Sequence, residues 1–231
     1  MWSPNVADFC KAYRVYAIDT MGQPGKSIPD PDEPIRDAVD YAAWLSAVLN
    51  VLNLDRIFLI GMSYGGRLAL NFALNEPERV RKLVLLSPGA SFQPLARQFM
   101  LRVGPMTLFP TRLTVNACFG WMGLKATPDD KDTGRVLDLM YLGLKHFRFA
   151  SKTARIMPSV FSDDELRAMN VPVLLLIGEH EVIYDPAKAL ARARVLLPDF
   201  EGDLVPESSH NMCASQYQIV NARVLDFMKN N

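Results

Sequence analysis

Unbroken apolar runs alternate along this chain with stretches in which apolar residues return every three or four positions. The runs are Ile57–Ile60, the segment from Arg79 to Leu86, and Val171–Ile177, each short and bounded by turn-forming residues. A run without polar alternation suits a strand buried on both faces. Tyr13–Ile18, β-branched and aromatic and closed by Asp19, predicts a further strand, and Phe200–Val205 a weaker last one. Helical spacing marks Ile35–Leu52, the stretch from Leu68 to about Asn75-Glu76-Pro77, and the C-terminal residues 215–228. Ser3-Pro4 introduces a short helix over 2–10, and Asp163 opens another. Asp185-Pro186 reads as an N-cap followed by a first-turn proline, with the helix reaching Leu197. Strand and helix alternating at this spacing predict an α/β fold, a mostly parallel sheet covered by helices on both faces.

Residues 90–165 break that rhythm. They are rich in Phe, Met, Leu and Arg, punctuated by Gly104-Pro105, Phe109-Pro110 and Thr127-Pro128-Asp129-Asp130. Several short helices are expected there, set as a cap over a pocket, with 1–89 and 166–231 forming the core. Each apolar side chain of the cap, such as Phe99, Met106, Phe119 or Met122, serves packing by default; as a set, some are expected to face a ligand. His146 is expected to be a surface or packing residue.

Composition narrows the picture mainly by exclusion. With 231 residues, one domain has room for a sizeable core. Lys plus Arg and Asp plus Glu both number 25, so no electrostatic footprint for nucleic acid or a membrane surface appears. Cys10, Cys118 and Cys213 are far apart, which argues against a disulfide framework or a metal-ligand pair and suits a reducing, cytoplasmic compartment. No run reaches the length of a membrane span. Thr20–Ser27 looks like a phosphate-binding loop, but the motif needs a glycine where Thr20 stands. It also needs a helix directly afterwards, which Pro29, Pro31 and Pro34 forbid. Nucleotide binding is rejected there.

The stretch that carries chemistry is Gly61-Met62-Ser63-Tyr64-Gly65, wedged between an apolar run and a helical one. Strand, Gly-x-Ser-x-Gly, helix is the context of a nucleophile elbow, in which a strained turn holds the serine out at a helix N-terminus. Gly61 and Gly65 are expected to leave room for neighbouring strand and helix. A serine nucleophile needs a base, and the base needs an orienting carboxylate. His210 follows the last predicted strand, and Glu181 stands three residues past Gly178 at the end of an earlier one. Asp185 competes with Glu181 but has a good role as a helix cap. His180 is read as a loop residue with its own local partner. The order serine, acid, histidine, each at a strand end, fits an open α/β sheet.

With Y-R-V-Y-A-I-D ending at Asp19, G-M-S-Y-G at 61–65, the run from Val171 to Pro186 and Ser209-His210, the chain resembles the α/β-hydrolase superfamily, specifically small bacterial carboxylesterase-like members. The resemblance implies Ser63 as nucleophile, His210 as base and acid, Glu181 as orienting carboxylate and the Tyr64 N–H as an oxyanion donor. It implies hydrolysis of a small or medium carboxylic ester, with no metal or organic cofactor. Lactone or C–C bond hydrolysis, perhydrolysis and a catalytically weak binding or signalling role are the alternatives. Departures are the spacing of Gly22, Gly25 and Ser27 and the serine at 209 where such proteins have glycine. The initial strands and His-Gly loop of such proteins are also absent, so Met1 is expected to be an internal methionine of a longer protein.

Overall fold

The structure, a computed structural model, describes residues 2–28, 30, 32, 35–125, 131–146 and 159–229. Pro29, Pro31, Pro34 and the turn at Thr127–Asp130 lie outside the described residues. In chain order the elements are α1 (Ser3–Phe9), α2 (Ala38–Val51), β1 (Ile57–Met62), α3 (Tyr64–Asn75), β2 (Val80–Leu86), α4 (Arg97–Leu108), α5 (Arg112–Trp121) and α6 (Lys131–His146). They continue with α7 (Asp163–Arg167), β3 (Val173–Gly178), α8 (Pro186–Leu196), β4 (Phe200–Val205), α9 (Met212–Ser215) and α10 (Tyr217–Lys229). Among the described residues the four strands form one parallel sheet in the order β1-β2-β3-β4. Every strand therefore points its carboxyl end the same way, and the loops after β1, β3 and β4 share one rim.

The sheet interior explains the unbroken apolar runs. Along β2, Leu83 and Leu85 enter one core while Val84 and Leu86 enter another on the opposite face. β3 repeats this, sending Val173, Leu175 and Ile177 one way and Leu174 and Leu176 the other. Successive strand side chains alternate faces, so a strand covered on both must be apolar throughout. The first face is covered by α2, α3 and α8 through Leu49, Leu70, Phe72, Ala189 and Ala193. The second is covered by α1 and α10 through Phe9, Val220, Val224 and Phe227. The buried Asn5 amide donates to Asn221 Oδ1 at 2.7 Å and ties α1 to α10.

Two expectations are corrected at the outer edge of β1. Tyr13–Ile18 is not a strand: residues 14–20 carry no ladder. Backbone groups make a strand only when a neighbouring strand stands within bonding reach. Here a cleft lined by Tyr13–Ile18 on one side and Ile57–Met62 on the other keeps them apart. For the same reason Ile57–Ile60 is half-buried, not covered on both faces.

Between β2 and β3 the expected helical segment is present as α4, α5 and α6. Thr111 caps α5 reciprocally with Thr114, each side chain accepting the other's backbone N–H. Phe99, Val103, Met106 and Phe119 pack toward the first core. His146 ends α6 and is exposed. Among the described residues, no helix is long and apolar enough to cross a membrane.

Candidate active site

The elbow arises where β1 ends and α3 begins within a single residue. Ser63 takes φ 52° and ψ −119°, a left-handed conformation that a non-glycine residue adopts only under constraint. The constraint is visible as bonds: the Ser63 N–H donates to Leu86 O at 3.0 Å, and Ser63 O accepts from Arg67 and Gly89. At Gly61 a Cβ would stand 2.7 Å from the Gly65 carbonyl carbon, so only glycine fits. Gly65 departs from expectation, since a Cβ there would meet nothing within 4 Å. The close approach falls on its neighbour Gly66, whose Cβ would lie 3.0 Å from both Gly61 O and Pro88 Cβ. Tyr64 is the first residue of α3, where a backbone N–H has no intrahelical acceptor.

Glu181 and His210 arrive on neighbouring loops. β3 pairs with β4 through to Gly178 and Val205, so the segments after them start side by side. Two bonds then join the loops: Glu179 N–H to Val205 O at 2.9 Å and His180 N–H to Ser208 O at 2.8 Å. Gly178 permits this, because a Cβ would stand 2.8 Å from Ser208 O and overlap the carbonyl of Ser209.

Three side chains meet in one hydrogen-bonded chain. His210 Nε2 lies 2.8 Å from Ser63 Oγ, and His210 Nδ1 lies 2.8 Å from Glu181 Oε2. A carboxylate only accepts, so the hydrogen sits on Nδ1 and leaves Nε2 free to accept from the serine hydroxyl. The other Glu181 oxygen accepts the Val182 and Ile183 N–H groups at 2.8 and 3.1 Å. Burial pushes the Glu181 carboxyl up. The His210 bond and charge, the Ile183 N–H and the Ser87 hydroxyl outweigh it and hold the group below its ordinary value. Asp185 does not reach this chain; its carboxylate accepts the Lys188 N–H at 3.0 Å and caps α8. Burial raises the Cys213 thiol to about 12.

Ser63 and His210 open onto a cavity of about 880 Å³. Its wall near the site carries Phe99, Val103, Met106, Phe119, Met122 and Met140 from the α4–α6 segment. The cavity continues along the open edge of β1 to Tyr13–Ile18.

Residues 1–223 match the alpha/beta hydrolase family. The chain belongs to that family. An uncharacterized carboxylesterase of Bacillus subtilis, nap, is 37% identical over 98% of this chain and 74% of its own length. Carboxylesterase YbfK of the same organism is 33% identical over 99% of this chain and 75% of its own. The crystal structure of naproxen esterase from Bacillus subtilis superposes with a TM-score of 0.85 at 35% identity, covering 99% of this chain and 78% of that one.

Two residues of this hydrolase gave no functional signal in the sequence. Asn211 Nδ2 donates to Met122 O at 2.9 Å and so ties the loop of His210 to the end of α5. Adjacency to His210 is the only local hint, because the partner lies 89 positions away. Ser87 reads in sequence as a strand stop, yet it is fully buried at φ 42° and its hydroxyl supports the Glu181 carboxylate.

Proposed function

We propose that this hydrolase cleaves small or medium carboxylic esters with an apolar acyl or alcohol part, through an acyl-enzyme on Ser63. The observation that carries the reading is the Ser63–His210–Glu181 chain, with both bonds at 2.8 Å, opening onto an apolar cavity. The carboxylesterases that match nearly the whole chain support the ester as substrate.

In the first half-reaction Ser63 Oγ attacks the ester carbonyl carbon while its proton passes to His210 Nε2. Glu181 holds the imidazole on edge and offsets the positive charge it acquires. The carbonyl oxygen, now negative, is stabilised by the Tyr64 N–H at the head of α3, a donor aimed before the reaction begins. The C–O bond then breaks, and the alcohol leaves with the proton from Nε2. In the second half-reaction water gives a proton to Nε2 and attacks the acyl carbon, and Ser63 regains its hydrogen as the acid departs.

The described helices α4, α5 and α6 of segment 90–165 act in this reading as a cap over the cavity, with Asn211 fastening the α5 end to the His210 loop. Replacing Ser63 by Ala should abolish turnover of p-nitrophenyl esters while the far-ultraviolet circular dichroism spectrum stays that of the wild type. Unchanged turnover in Ser63→Ala defeats the reading.

A further inference from the structure

We propose that Glu179, His180 and Glu207 form a divalent metal site, of the kind taken by Zn²⁺ or Co²⁺, bridging the loops that carry Glu181 and His210. One donor atom from each of the three side chains lies within 4.8 Å of the others. Among the described residues this is the one group of three or more such side chains so placed. None of the three lines the Ser63 cavity, so the site is separate from the one described above.

Charge and donor chemistry together favour a cation. The Glu179 and Glu207 carboxylates face each other across the loop junction, and no Lys or Arg pairs with either among the described residues. All three side chains are exposed, so water screens the repulsion between the two carboxylates, and a divalent ion between them turns what remains into attraction. The third donor is an imidazole, which hard oxygen-seeking ions such as Ca²⁺ do not favour. One nitrogen with two carboxylate oxygens suits Zn²⁺ or Co²⁺, with water completing the shell.

The frame that carries the donors is held without the ion. Glu179 and His180 donate their backbone N–H groups to Val205 and Ser208 on the facing loop, at 2.9 and 2.8 Å. Glu207 in turn donates its N–H to Glu179 Oε2 at 3.1 Å. An ion about 2.0–2.2 Å from each donor holds tetrahedral donors about 3.3–3.6 Å apart, so separations within 4.8 Å close to that spacing by rotation of the exposed side chains. An ion bound there adds a direct link between two loops otherwise joined by backbone bonds, and it binds the folded chain in preference to the unfolded one. The binding itself does not depend on the esterase reading.

The test is calorimetric titration of zinc chloride into the chelator-stripped protein, repeated in the Ser63→Ala background so that failure of the esterase reading leaves it intact. One ion per chain is expected, with a thermal midpoint that rises in its presence. His180→Ala and Glu207→Gln should each weaken binding by about tenfold or more and remove the rise in midpoint. His146→Ala and Cys10→Ser, which alter exposed donors elsewhere, should bind as the wild type does. Absence of saturable binding, wild-type affinity in either His180→Ala or Glu207→Gln, or loss of binding in His146→Ala or Cys10→Ser overturns the proposal.

Discussion

β3 and residues 13–18 both read as strands in the sequence, and they end in opposite conditions. Val173–Ile177 lies between two strands, and its five side chains are at most 1% exposed. Tyr13–Ile18 has no ladder; Tyr16 and Ile18 are 41% and 37% exposed. Apolar and β-branched composition gives a segment the capacity to be a strand, and the neighbour decides whether it becomes one. The same difference separates the two sides of the site. On the β3–β4 side, Glu181 and His210 are fixed by paired strands and loop-to-loop bonds. On the β1 side, Ser63 is fixed by its bonds to Leu86, Arg67 and Gly89, while the strand beneath it borders an open cleft.

After replacement of Ser63 itself, the largest expected effects lie on the paired side. Glu181→Ala should lower ester kcat/KM by about 10³- to 10⁴-fold, the scale seen when an orienting carboxylate is lost. Asp185→Ala should leave turnover near wild type and cost about 1 kcal/mol of stability as a lost helix cap. A loss of activity in Asp185→Ala with none in Glu181→Ala would mean that Asp185, not Glu181, serves His210. Gly178→Ala forces the Ser208–Ser209 backbone away from β3. A displacement of about 1 Å at His210 is expected to cost about 100-fold in kcat, measured on the same esters.

Stability measurements sharpen the contrast between the two apolar segments. Leu175→Ala, in the middle of β3, should cost about 2–5 kcal/mol by urea unfolding. Ile18→Ala, on the unpaired segment, should cost no more than about 0.5 kcal/mol. Similar costs would erase the distinction. A smaller effect follows from pH. The folded value of Glu181 lies below its ordinary one, so the unfolded chain binds the proton more readily. The stability this contributes is complete above the ordinary glutamate value of about 4.3 and is lost as pH falls below it through the folded value. Replacing Glu181 by Gln should flatten that part of the stability–pH curve.

What was legible in the sequence follows the same division. The elbow, the strand ends and the order of Ser63, Glu181 and His210 are written locally, as glycines, apolar runs and the residues just past them. The choice of Glu181 over Asp185 was also local, because Asp185-Pro186 announces a helix cap. The strand at 13–18 was misread because pairing is not a property of a segment. Gly65 closes the sequence pattern, but the close contact falls on Gly66, because Gly61 O and Pro88 come near it only in the folded elbow. Asn211 and Ser87 were silent because their partners, Met122 and Glu181, come near only after the chain has closed on itself.

The measurement closest to the central claim is labelling by a fluorophosphonate, located by peptide mass spectrometry. Attack by the Ser63 oxygen on phosphorus displaces fluoride and leaves a covalent adduct on that residue. The adduct is expected on the peptide containing Ser63, forming far more slowly in His210→Ala. An adduct on another residue, or an equal rate in His210→Ala, would contradict a relay from Ser63 to His210.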